Sequence, residues 1–193
     1  AGDEILLRRR GAFYEIRFNG LELMSNLNHQ SETALAERAL RRHGRARARV
    51  LIGGLGMGFT LRAALELLDD GSQVTVCELI PEIAGWNRRH IGHLAGHPLR
   101  DPRVELRIAD VMEVLGERGG HYDVILMDTD NGPDVTVRPE NGRLYAGIGL
   151  DLLRRALCPD GIAAFWSASV SPGFERALST RPWHWRRDDL QLA

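Results

Sequence analysis

Val50-Leu51-Ile52-Gly53-Gly54-Leu55-Gly56-Met57-Gly58 is the stretch on which the reading of this chain turns. Arg49 to Ile52 reads as a short buried strand, four glycines follow within six positions, and a helical pattern opens at Phe59. A strand, a glycine turn and a helix in succession form a nucleotide-binding arrangement. The glycines lack the Cβ atoms that would hold a ligand off the backbone, and they permit positive φ in the tight turn. The next apolar strand, Val74-Thr75-Val76-Cys77, ends in Glu78, 20 positions after Gly58. A carboxylate at that spacing, on the tip of a second strand, is placed to accept hydrogen bonds from a ribose diol. The plainer alternative is a structural turn followed by a solvent-facing Glu.

Outward from this stretch the pattern alternates strand and helix. Strands are expected at 49–53, 73–78, 104–108, 122–127 and 162–166. Helices are expected at about 59–69, at about 81–95 behind Pro81 at the first helical position, after Asp110, and at about 143–157. Such alternation predicts a Rossmann-like, doubly wound, mostly parallel α/β sheet with right-handed crossovers. In front of it, residues 5–24 alternate apolar and polar side chains around Asn19-Gly20, a hairpin-turn signal. A helix follows, with Ser31 as its expected cap, running to about His43. The expected organisation is a β-hairpin segment over 1–30 and a ligand-binding domain over 31–193, together a single globular unit.

Composition narrows the function. The chain of 193 residues carries a net charge of −1, so no global field draws it to nucleic acid or acidic lipid. All 25 basic residues are Arg, which excludes Schiff-base chemistry and a Walker-type lysine. Cys77 and Cys158 read as separate buried thiols. No apolar run approaches the roughly 18 residues that span a bilayer, and no signal peptide is evident, so the expected location is the cytoplasm. His90, His93 and His97 are interrupted by Gly92 and Gly96, with Pro98 following, and read as surface or helix-end residues rather than metal ligands. The basic run Arg41 to Arg49 reads as a solvated helix end, and Trp183 to Arg187 as a last strand packing its tryptophans on the sheet or on a partner subunit.

In an open parallel sheet, ligands bind beyond the carboxyl ends of the strands. Those ends bring together the glycine loop, Glu78 with the adjoining Leu79, then Asp110 and Val111, then Asp128 and Asp130. Asp110 is placed to accept from an exocyclic amine while Val111 packs an aromatic base. A succession of glycine loop and carboxylates suits a sulfonium ligand of the S-adenosylmethionine type better than a pyrophosphate. His29-Gln30-Ser31, just before the first helix, is placed to border the same pocket.

The run from Arg49 to Trp166 resembles the spermidine synthase (polyamine aminopropyltransferase) family, which has the class I S-adenosylmethionine-dependent methyltransferase fold. Val50-Leu51-Ile52-Gly53-Gly54 resembles the family's glycine motif, Glu78 its ribose-binding acid, and Ile108-Ala109-Asp110 its adenine-contacting segment. Tyr122-Asp123-Val124-Ile125-Leu126-Met127-Asp128 resembles the strand that presents its catalytic Asp.

The resemblance implies a transferase that moves an aminopropyl group from decarboxylated S-adenosylmethionine to a polyamine, without a metal. Asp128 would hold and help deprotonate the amine. Gly53, Gly54, Gly56, Gly58, Glu78, Leu79, Asp110 and Val111 would bind the donor, and Gln30, Asp130, Asn131 and Tyr145 the acceptor; Tyr14 is the other candidate tyrosine. Gly56 stands where the family carries an Asp, and Asn131 where it carries a second carboxylate. Both shift weight toward an alternative, a methyltransferase using the same pocket and S-adenosylmethionine itself. A non-catalytic adenosyl-binding module is the third reading, motivated by the 27 residues after Trp166. A homodimer is plausible from the hairpin edge and the late tryptophans.

Overall fold

The centre of the molecule is β4 (Arg49–Gly53), in which Val50, Leu51 and Ile52 are fully buried. A strand apolar on both faces is what a parallel sheet covered by helices on each side requires. The computed structural model describes residues 3–129, 131–136 and 138–191. β5 (Gln73–Glu78), β6 (Val104–Ile108), β7 (Tyr122–Met127) and β8 (Leu157–Phe165) join β4 in a five-stranded parallel sheet ordered β6-β5-β4-β7-β8. The chain winds outward from β4 in one direction through β6, then returns to the other side of β4 through β7. That reversal opens a crevice above the carboxyl ends of β4 and β7.

Alternation along the strands feeds two cores. Val50, Ile52, Val74, Val76, Val124 and Leu126 point to one face, where they pack with α1 (Gln30–His43), α2 (Phe59–Leu67) and α3 (Pro81–Trp86). Leu51, Cys77, Ile125 and Met127 point to the other, with α4 (Val111–Glu117), α5 (Gly142–Tyr145) and α6 (Gly147–Ala156). Among the described residues no helix is long and apolar enough to cross a membrane.

The N-terminal segment is an antiparallel meander of three strands, β1 (Ile5–Arg10), β2 (Phe13–Phe18) and β3 (Leu21–Ser25), one more than a simple hairpin. Its first turn is closed by Gly11 (φ 61°), its second by Asn19-Gly20 with φ of 48° and 80°, both positive as a two-residue hairpin loop prefers. Tyr14 and Ile16 of β2 enter the core beside α1 and α2. Met24 of β3 lies so close to Gly56 that a Cβ there would sit 2.6 Å from its sulfur, so the meander closes down on the glycine loop.

Several element boundaries differ from expectation for local reasons. The cap of α1 falls two residues early: His29 is the N-cap, and Asn28 Oδ1, not the Ser31 hydroxyl, serves the Gln30 amide at 2.9 Å. The expected helix over 81–95 is α3, a π-type turn at 87–91 and a 3₁₀ turn at 92–95. The change of pitch falls where Asn87 turns its amide inward to donate to Gly56 and Ile83 carbonyls. The expected helix over 143–157 breaks at Ala146 (ψ 177°) into α5 and α6. β8 begins at Leu157 instead of 162, because the turn-like Pro159-Asp160-Gly161 is accommodated as an irregularity with Asp160 at φ 63°. After α7 (Pro172–Ser179), residues 183–187 are not a strand. Trp183 packs against the second core, and Trp185 donates its indole N–H to Ser179 at 3.1 Å.

Candidate active site

The glycine loop is shaped by what its neighbours leave no room for. Gly54 (φ 90°) donates its N–H to the Cys77 carbonyl at 2.8 Å, and a Cβ on it would lie 2.2 Å from the Asp128 carbonyl oxygen. Only glycine lets β4 and β7 deliver their ends so close together. Gly53 is buried below it under Met127 and Thr129, and Gly58 (φ 87°) is the N-cap of α2, packed on Pro98.

Glu78, at the tip of β5, is 5% exposed. Its carboxylate accepts from the Leu55 amide at 3.0 Å and the Ile80 amide at 2.8 Å, which ties the glycine loop to the start of α3. Burial raises its pKa, while these amides oppose the rise. The Gly56 and Leu79 amides lower it as well, so the carboxylate is held by the glycine loop and the residues leading into α3. Asp110 is the N-cap of α4, taking the Met112 amide at 2.8 Å, and Val111 behind it is buried.

Asp128 follows β7. Its amide donates to the Gly53 carbonyl at 2.9 Å, and its Oδ2 accepts from the hydroxyl of Thr60, a buried residue in the first turn of α2, at 2.6 Å. Burial lifts its pKa from 3.8 to about 6; the Thr60 hydrogen bond lowers it and the negative charge of Glu32 raises it further. A carboxyl poised near neutrality at a cleft is suited to exchange a proton with a ligand.

These groups line one cleft of about 340 Å³, of a size that holds a small molecule. Gly54, Gly56, Glu78, Leu79, Asp110, Val111, Asp128 and Asn131 all border it. Gly53 and Gly58 shape it from beneath. Gln30 is exposed at the first residue of α1, and the next turn positions, Ser31 and Glu32, border the cleft in its place. Tyr145 is buried below the floor, with its hydroxyl 3.3 Å from that of Thr129 and its ring against Phe165 and Phe174. Tyr14 lies in β2, edge-on to His93 at 5.7 Å. Asp130 lies outside the described residues. His90 is exposed, and His97 caps a separate 3₁₀ turn in the left-handed region.

Sequence reasoning passed over Glu32, Thr60, Met24 and the stretch around Arg138, Glu140, Asn141 and Arg143. All but Thr60 border the cleft. Glu32 carried an ambiguous signal, since an acidic residue in a first turn reads equally well as a partner of the helix dipole. Thr60 carried none, because a Thr in an apolar helix announces no partner.

Residues 29–178 match the spermine/spermidine synthase domain. The chain is 31% identical over 128 residues to a polyamine aminopropyltransferase of Synechococcus sp. (strain JA-2-3B'a(2-13)), covering 64% of this chain and 38% of that one. It is 34% identical over 132 residues to a polyamine aminopropyltransferase of Oceanobacillus iheyensis, covering 67% and 24%. The solved spermidine synthase of Thermotoga maritima has a TM-score of 0.70 at 22% identity, over 84% of this chain and 53% of that one. A spermidine synthase in complex with the transition-state analogue AdoDATO has a TM-score of 0.72 at 22% identity, over 84% and 54%. The chain thus spans about half of these solved structures and about a quarter to two-fifths of these two curated relatives. With three-quarters of its length matched by the domain and the parallel sheet in place, the chain belongs to the spermine/spermidine synthase family.

Proposed function

We propose that this chain transfers an aminopropyl group from decarboxylated S-adenosylmethionine to a small-molecule amine of the polyamine class. The observation that carries the reading is Asp128, a carboxyl with a pKa of about 6 at the carboxyl end of β7, bordering the same cleft as the glycine loop, Glu78 and Asp110. In this reading the Glu78 carboxylate accepts from the ribose diol, Asp110 and Val111 flank the adenine, Leu79 adds an apolar wall, and the loop carrying Gly54 and Gly56 borders the donor.

The acceptor enters as an ammonium and must lose a proton before it is nucleophilic. Thr60 holds Asp128 Oδ2, which leaves Oδ1 to take that proton. The nitrogen lone pair attacks the propyl carbon bonded to the sulfonium. A C–N bond forms as the C–S bond breaks, and the sulfur leaves with the bonding pair as methylthioadenosine. Neutralisation of the sulfonium means that no anionic leaving group needs stabilising, so in-line positioning and deprotonation supply the catalysis. Asn131 lies at the cleft as a neutral hydrogen-bonding group, and Tyr145 supports the site through Thr129.

The test is the Asp128→Asn variant assayed with decarboxylated S-adenosylmethionine and a panel of diamines. Turnover falls by about 10²–10⁴-fold, the range for loss of a positioned base, while donor affinity measured by calorimetry stays within about twofold, since Asn keeps the size and the Thr60 contact. A variant as fast as the parent contradicts the assignment of Asp128.

A further inference from the structure

Two carboxylates from different elements border the cleft. Asp128 comes from the end of β7, and Glu32 from the first turn of α1. Glu32 is partly buried, and its Oε2 accepts from the Ser31 hydroxyl at 2.5 Å, which restricts its rotamer. Among the described residues it makes no ion pair, in a chain where Arg8, Arg41, Arg62, Arg103, Arg107 and Arg187 all find carboxylates. An anion held at a cleft without a protein cation is available to a cationic ligand.

We propose that Glu32 is the second anionic wall of the acceptor site, holding the attacking ammonium of an aliphatic amine beside Asp128. This rests on the reading of the cleft as an amine site and deepens it. It also complements Asn131, a neutral group at the cleft, with an anion from α1. The other charged side chains bordering the cleft are Glu22 of β3, Glu78 of β5, Asp110 before α4, and Arg138, Glu140 and Arg143 before and within α5. Arg138 is committed to Asp3 at 3.0 Å. Of all these charged groups, Glu32 is the one whose field acts on the Asp128 proton, and it raises that proton's affinity. Glu32 therefore does two things. It binds the ammonium before reaction, and it strengthens Asp128 as a base when the proton moves.

The experiment has two readouts that do not need turnover. Calorimetry measures 1,4-diaminobutane binding in the presence of methylthioadenosine, and carbon-13 NMR follows the Asp128 carboxyl through a pH titration. Glu32→Gln weakens diamine binding at least tenfold, about 1.4 kcal/mol, leaves methylthioadenosine affinity unchanged, and moves the Asp128 midpoint to lower pH. Glu32→Asp restores part of both. A merely structural role for Glu32 would not move the Asp128 midpoint selectively. Diamine binding and an Asp128 midpoint both unchanged in Glu32→Gln overturn the proposal, as does failure of the parent protein to bind the diamine. Methylthioadenosine binding with diamine binding but no transfer chemistry would instead overturn the assigned reaction, with the role of Glu32 intact.

Discussion

Asp128 is tuned by two neighbours that pull in opposite directions, the Thr60 hydroxyl lowering its pKa and the Glu32 charge raising it, on a background of burial. Replacing Thr60 with Val removes the hydrogen bond at nearly constant volume. The pKa of Asp128 rises, and because the ionised form is the base, the acidic limb of kcat/KM moves to higher pH, opposite to the shift in Glu32→Gln. A pH–rate profile of the two variants checks this, and movement in the same direction contradicts it. The same tuning costs stability. A carboxyl lifted from 3.8 to about 6 binds its proton more tightly in the folded state. Its contribution to stability is therefore lost as pH rises through that window. Asp128→Asn is accordingly more stable than the parent at pH 7.5, by at most about 3 kcal/mol, and the gain disappears near pH 4. Urea unfolding at the two pH values measures it. The sequence marked Asp128 as a strand-end carboxylate and, through the family resemblance, as the candidate catalytic residue, but this tuning was not legible in it. Its charge environment comes from α1 and α2, about 70 to 100 positions earlier.

At the scale of elements, the parallel strands were the most legible part of the chain. β4 and β7 fall where the apolar runs place them, because a strand buried on both faces must be apolar throughout, and β5 and the edge strand β6 also fall at the expected positions. Helix ends and irregular turns were less legible. The π-type turn at 87–91 is set by an inward Asn87 amide reaching the glycine loop, a tertiary contact that periodicity does not encode. The glycines illustrate how position alone separates two similar residues. At Gly54 both φ and the Asp128 carbonyl forbid a side chain, whereas Gly96 (φ 72°) has open space around the missing Cβ. Gly54→Ala is expected to lose about 3 kcal/mol through strain and overpacking together, and Gly96→Ala about 1 kcal/mol through strain alone. Thermal unfolding of both variants measures the difference, and equal losses would contradict the packing at the loop.

At the scale of the whole molecule, an open doubly wound sheet leaves a crevice where its winding reverses, and the meander β1–β3 with α1 closes one side of it. The strand-end side of the cleft was readable in advance because it follows sequence order: the glycine loop, Glu78, Asp110, then Asp128. The opposite side was not, because Met24, Glu32 and Arg143 arrive from separate elements whose convergence is a property of packing. The central claim, aminopropyl transfer, is tested most directly by identifying the products formed from decarboxylated S-adenosylmethionine, or from S-adenosylmethionine, with 1,4-diaminobutane. The account predicts methylthioadenosine and aminopropylated diamine in equal amounts from the decarboxylated donor. Formation of S-adenosylhomocysteine and a methylated acceptor from S-adenosylmethionine, with no methylthioadenosine from the decarboxylated donor, would contradict it.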